Sequence, residues 1–190
     1  PLILAAKRRF SDGDFETMLR SCVVISFRYN VIGSQPTSEQ ERVYNQVAAK
    51  ISEGAYPTLT AALGGMTSVY PLDNSFRAAF TEKIVKTTQS RNRSVVRYIL
   101  CLLERHISGT EHDLDSDVFN IEHVLPQNPQ QGWQAFPEDE TESYVYRLGN
   151  MTLLRSTLNR DIGNEDYSAK RLLYQQSNFQ ITRELAEKNA

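Results

Sequence analysis

NIEHVLPQ, Asn120 to Gln127, sets an acid and an imidazole side by side in a short apolar run that a proline ends at Pro126. A neutral imidazole, with an ordinary pKa near 6.5, accepts a proton from water at cellular pH, as a general base must. His123 is thus a candidate base by residue type, although a histidine in an apolar strand is more often a satisfied core or interface group. In a regular strand Glu122 and His123 face opposite sides. Both serve one substrate only if the strand bends or ends there, which Pro126 allows.

Composition bounds the rest of the reading. A chain of 190 residues, 40% hydrophobic, is long enough for one domain or two small ones. Its formal net charge of −2 gives no overall basic field, so nucleic-acid binding has to come from a local patch. The two cysteines, Cys22 and Cys101, sit in apolar helical patterns and read as reduced core residues. With no CxxC pair and three histidines, a cysteine-type zinc site is not expected, and the metal-ligand inventory leans on carboxylates and amides. Such hard oxygen donors favour magnesium, manganese or calcium. No apolar run approaches the roughly 20 residues of a membrane span, and the first residues show no charged stretch followed by an apolar one. A soluble, cytoplasmic protein is expected. PLILAAKRRF already reads as helix at Pro1, so a piece of a longer polypeptide is expected as well.

Upstream of this run the sequence is helical. From Ser11 a stripe of Phe15, Met18, Leu19, Cys22, Val23 and Ser26 runs at helical spacing toward Gly33, with Ser11 or Asp12 as cap. Ser38 and Glu41 form a capping box for a helix that carries Val43, Val47 and Ile51 to Gly54. A short helix follows Pro57 and closes at Gly64 and Gly65, and another covers Asp73 to Lys83. The clearest helix, RSVVRYILCLLERHISG, stops at Gly109. Arg91, Arg93 and Arg97 at its start are a candidate DNA-contact patch, with a solvated helix start as the commoner explanation.

After the acidic stretch TEHDLDSD the texture changes to strand (FNIEHVLP), polar loop, short helix (DETESYVYRL) and strand (GNMTLLR). Two short helices joined at Gly163 and Asn164 follow, then a last helix in ITRELAEKN. Asn150 opens the second strand and Asn159 lies in an early helical turn. Asparagine there is either a local cap or a residue wanted for its oxygen. Trp133 reads as an anchor of the small core in preference to a base-stacking platform, and His106 and His112 as solvent-facing. No phosphate-cradling GxxxxGK[ST] loop occurs, so no nucleotide site is expected in this fragment.

A strand ending in Glu-His, a loop, a strand opened by Asn and a helix with Asn together resemble the HNH, or ββα-metal, nuclease motif. The wording IEHVLPQ, then LGNMTLL, then LN, then Lys170 with Tyr174 and Ser177-Asn178-Phe179, resembles the C-terminal nuclease domain of GmrSD-type modification-dependent restriction proteins. That family includes SspE-like proteins that act with DNA phosphorothioation. The nuclease likeness covers about residues 117–184, and ISFRYNVIG, ERVYNQVAAKI and RSVVRYILCLLE resemble the family's preceding helical part.

The resemblance implies a mainly α fold: a helical subdomain over 1–112, then an HNH nuclease domain with extra C-terminal helices over 113–190. It implies a DNA endonuclease that nicks or cuts duplex DNA, an effector of anti-phage restriction in the bacterial cytoplasm. His123 becomes the general base, and Asn150 the residue that holds the loop and orients it. Glu122 and Asn159 become ligands of one divalent cation, Mg2+ or Mn2+, which would stabilise charge at the scissile phosphate. Many relatives carry aspartate before the histidine, so Asp161 and Asn164 stand as substitutes for Glu122. Lys170 is a candidate DNA contact or an exposed helix partner. The implied partners are duplex DNA and an N-terminal NTPase, modification-sensing region of the same polypeptide. The alternatives are a catalytically degenerate helical DNA-binding or interaction module, and an RNA nuclease using the same site.

Overall fold

The computed structural model describes residues 1–130 and 132–188, the side chain at position 138 excepted. It is mainly helical with one two-stranded sheet, and it divides into two compact units, Pro1–Thr81 and Glu82–Ala190.

In the first unit, α1 (Leu2–Arg9) packs on α3 (Thr37–Glu53), with α2 (Asp12–Ser26) and α4 (Leu59–Gly64) against them. Leu2, Ala6, Met18, Ile25, Val43, Val47, Ile51 and Met66 build one core. Each large aliphatic side chain buried there contributes about 1.5–3 kcal/mol. Ser11 caps α2 by accepting from Asp14 N at 3.2 Å, as expected. The core face of α2 differs from the expected stripe: Met18 and Ile25 are buried, whereas Val23 is 60% exposed and Leu19 is also exposed. Residues seven apart return to one side after two turns, and only that side is covered. The helix does not stop at Ser26 but widens into a π-helical stretch, Phe27–Ile32, before Gly33. There the Arg28 guanidinium lies 4.5 Å from both the Tyr70 and Phe76 ring centres and is paired with Asp73 at the start of α5 (Asp73–Thr81). The expected capping box at Ser38 does not form. Pro36 holds the N-cap position, so Ser38 already lies inside α3. Gly54, at φ 83°, ends that helix as read from the sequence.

The second unit is built on β1 (Phe119–His123) and β2 (Met151–Arg155), antiparallel and in register from Phe119↔Arg155 to His123↔Met151. Helix α8 (Ser156–Ile162) follows β2 without a break, which realises the expected succession of strand, strand and helix. Four consecutive β2 residues, Met151 to Leu154, are buried, since helices cover both faces. One of these is α6 (Ser90–Ser108), ended by Gly109 at φ 73°. The others are α9 (Tyr167–Tyr174) and α10 (Gln180–Lys188), which join α8 around Leu154, Ile162, Tyr174 and Ala186.

The division between the units lies ahead of α6 and not at residue 112. The reason is polar as well as apolar: buried Glu104 accepts from Gln180 N at 3.0 Å and Ile181 N at 2.9 Å. A carboxylate at the start of α10 satisfies free amides and opposes the positive end of the helix dipole. His112, expected in solvent, is half-buried, with its ring centre 5.6 Å from that of Phe119 edge-on and 5.0 Å from that of Phe179. His106 is exposed. Both cysteines are free thiols, Cys101 buried and Cys22 half-buried. Between the strands lie the polar loop and α7 (Glu138–Val145). Trp133 anchors that loop: it is buried, and its Nε1 donates to Glu165 O at 3.1 Å. Gly132 before it has φ 97°, and a Cβ there would meet Asp166 at 2.5 Å, so only glycine fits this turn.

Candidate active site

The end of β1 opens onto a polar cleft of about 630 Å3, lined among others by Thr87, Asn120, Glu122, His123, Asn159 and Lys170. Strand alternation decides what each side chain meets. Regular pairing runs through Glu122↔Thr152 and His123↔Met151, so the strand does not bend between the two residues.

Glu122 turns inward and is 4% exposed. Its Oε1 accepts from Lys170 Nζ at 2.6 Å and from the Tyr174 hydroxyl at 2.7 Å. Burial pushes the Glu122 carboxyl above the usual carboxylate range, against the pull of Lys170 and of both hydrogen bonds. The Tyr174 phenol is likewise raised, first by burial and then by the adjacent carboxylate. Lys170 is fully buried, neither a DNA contact nor an exposed helix partner as expected. A buried ammonium requires a countercharge, and β1 supplies it. Lys170 also donates to His123 O at 2.8 Å, which ties α9 to the end of β1.

His123 turns the other way. Its Nε2 lies 3.1 Å from Thr87 Oγ1, and its ring meets Tyr146 edge-on with centres 6.1 Å apart. Burial first, then the positive charge of Lys170, lowers its pKa to about 4. The imidazole is therefore neutral at neutral pH and holds a lone pair.

Asn150 uses its whole side chain on the loop after the base. Oδ1 accepts from Leu125 N at 2.8 Å, and Nδ2 donates to Leu125 O and Val145 O, each at 3.0 Å. Its carbonyl accepts from Val124 N at 2.9 Å. The pairing of β1 with β2 thus continues for two residues past His123, the second of them through a side-chain amide. Asn159 donates to Asn120 Oδ1 at 2.6 Å and to Ile121 O at 3.2 Å. Its own Oδ1 has no protein partner among the described residues.

The three arginines at the start of α6 separate. Arg97 donates to Phe119 O at 2.8 Å and to Ser116 O, with its guanidinium 4.0 Å from the Phe119 ring centre. It is a brace for β1, not part of an exposed DNA patch. Arg91 is exposed away from the cleft lining, while Arg93 is exposed and lines the cleft.

As arranged, these residues do not fit a divalent cation held by Glu122 and Asn159. The Glu122 oxygen is shared by an ammonium and a phenol, and a second cation beside Lys170 would be repelled. Asn159 Oδ1 fits as one neutral oxygen donor. Asn164 lines the cleft, but Asp161 is exposed and does not. No cluster of three or more His, Cys, Asp or Glu able to hold a metal occurs among the described residues.

Sequence reasoning missed Thr87, which sits in KTTQSRNR where no periodicity or motif marks it. It also left Tyr174 without a role. The signal there was spacing: Lys170 and Tyr174 lie one turn apart on α9 and share its buried face.

Among the described residues no helix is long and apolar enough to cross a membrane. No curated protein matches the chain closely enough to count as a relative. A family model does match, over residues 70–190, described as the C-terminal domain of GmrSD restriction endonucleases. That is the larger part of the molecule and contains the whole cleft, and the chain accordingly belongs to the GmrSD restriction endonuclease C-terminal domain family.

Proposed function

We propose that the chain is an HNH (ββα) endonuclease domain that hydrolyses phosphodiester bonds of duplex DNA, with His123 as general base. The observation that carries this reading is the half-buried imidazole at the end of β1, on a polar cleft that Asn120 and Asn159 also line. A neutral base with a lone pair takes the proton of an attacking water as that oxygen bonds to phosphorus. The hydrogen bonds of Lys170 to the His123 carbonyl and of Asn150 to Leu125 hold the backbone at and just after His123, so the base meets the phosphate in one geometry. Arg93 on the cleft lining is the exposed cation that meets the phosphate backbone.

In this reading the domain is the effector of an anti-phage restriction protein in the bacterial cytoplasm. Modification sensing, phosphorothioation included, and nucleotide hydrolysis fall to another region of the same polypeptide. Glu122 is held by Lys170 and does not fit a divalent cation, so a requirement for Mg2+ or Mn2+ is left for the cleavage assay to read and no step is placed on an ion. Nicked circles are the expected first product.

One observation favours a second reading, a DNA-binding module without turnover: Glu122 is already neutralised by Lys170. Cleavage of supercoiled plasmid decides between them, with wild type and His123→Ala in magnesium, manganese or EDTA. Nicking by the wild type that is lost in His123→Ala supports the nuclease, and nicking retained in the variant removes His123 from the mechanism. Binding with no cleavage supports the second reading. Labelled RNA of the same sequence, run in parallel, distinguishes an RNA nuclease.

A further inference from the structure

Thr87 lies outside the strand, loop, strand and helix segment, on the stretch that leads into α6. That stretch is pinned to the chain ahead of β2: Leu148 N donates to Lys83 O and Val85 N to Tyr146 O, each at 2.8 Å, with Ile84 bridged to Arg147. The Thr87 carbonyl accepts from Arg93 Nε at 3.3 Å, and its hydroxyl receives Gln127 Nε2 at 3.4 Å. Thr87 is 4% exposed, and its Oγ1 stands 3.1 Å from His123 Nε2. A buried hydroxyl at hydrogen-bond distance favours one tautomer of its partner, by donating to Nε2 or by accepting from it.

A neutral imidazole has one N–H and one lone pair. If the hydroxyl donated to Nε2, the ring proton would sit on Nδ1, and neither nitrogen would keep a free lone pair. If the hydroxyl accepts the Nε2 proton, Nδ1 stays free. Since Oγ1 has two lone pairs, it accepts from both Nε2 and Gln127 while its own proton is free to turn to the cleft that Thr87 lines.

We infer that Thr87 is a positioning residue of the site: its hydroxyl accepts Nε2–H of His123, fixes that tautomer, and makes Nδ1 the atom that takes the proton from water. The inference rests on the reading of His123 as the base. The balance is simple. A water proton passes to Nδ1, the water oxygen bonds to phosphorus, and the bond from phosphorus to the leaving oxygen breaks, its electron pair staying on that oxygen, which takes a proton from solvent water. The resulting imidazolium keeps its Nε2–H bond to Thr87.

The test is long-range 1H–15N correlation on the whole chain at neutral pH. It contains three histidines, and His123→Gln assigns the signal of interest. Wild type and Thr87→Ser are expected to show a single Nε2–H tautomer at His123, and Thr87→Val a mixture of both. In plasmid cleavage Thr87→Val is expected to lose roughly ten- to a hundredfold in kcat at unchanged KM, as for a misplaced catalytic group. Thr87→Ser is expected to recover most of it. A wild-type proton on Nδ1 overturns the inference. So does a Thr87→Val protein that keeps the wild-type tautomer, whatever its rate, or one that changes tautomer at full kcat. If Thr87→Val does not fold, the wild-type and Thr87→Ser spectra still decide the tautomer. If the wild type cleaves nothing, the nuclease reading fails while the spectra decide the hydrogen bond separately.

Discussion

Lys170 Nζ stands 2.6 Å from Glu122 Oε1, and the two side chains, 48 residues apart in sequence, are both buried. Removing one partner strands the other charge without water, which costs about 3–5 kcal/mol, whereas removing both is close to neutral. Glu122→Gln and Lys170→Met are therefore each expected to lose about 3–5 kcal/mol in urea unfolding. The double variant should recover a large part of that loss. Additive losses in the double variant would show that the two side chains do not act as a pair.

The lowered pKa of His123 has a sign for stability. With the folded value about 4 against 6.5 for the free group, the unfolded chain binds more protons between those values. This contribution is fully present above about pH 6.5 and is lost as the pH falls toward 4. The expected size is on the order of 3 kcal/mol. Unfolding at a series of pH values, wild type minus His123→Gln, isolates it from the opposite trend that the raised Glu122 carboxyl contributes. A flat difference curve would mean that the ring titrates normally.

Asn150→Ala removes three side-chain hydrogen bonds and leaves the Leu125 amide without its acceptor. An unmet buried amide costs about 1–3 kcal/mol. Hydrogen exchange should report it locally, with faster exchange at Val124 and Leu125 than in the rest of β1. Uniform loss of protection across the sheet would point to global destabilisation instead.

The arginines of α6 should divide in their response to salt. Arg93→Glu is expected to weaken DNA binding and to reduce the salt slope by at least about one counterion. Arg97→Ala is expected to leave the slope unchanged and lower stability, because its bonds go to Phe119 and Ser116. Fluorescence anisotropy of a labelled duplex across a salt series reads the first, and thermal unfolding the second. An equal drop in slope for both would place Arg97 on the DNA.

Element order, the helix ends at Gly54 and Gly109, and the strand, strand and helix succession were legible in the sequence. They rest on local rules: apolar periodicity, and the left-handed conformation that glycine takes at a helix end. The chemical types at the cleft were legible for the same reason, since an imidazole or an amide carries its chemistry wherever it lies. Tertiary structure alone decided which groups meet. Lysine and arginine are ordinarily solvated, so sequence reasoning put Lys170 and Arg97 in water. The fold buries the first against Glu122 and lays the second on Phe119. Thr87, unmarked by any pattern, reaches His123 across 36 residues because the stretch before α6 pairs with the chain ahead of β2. Long-range pairing sets the partner of each buried polar group, and no periodicity along the chain encodes it.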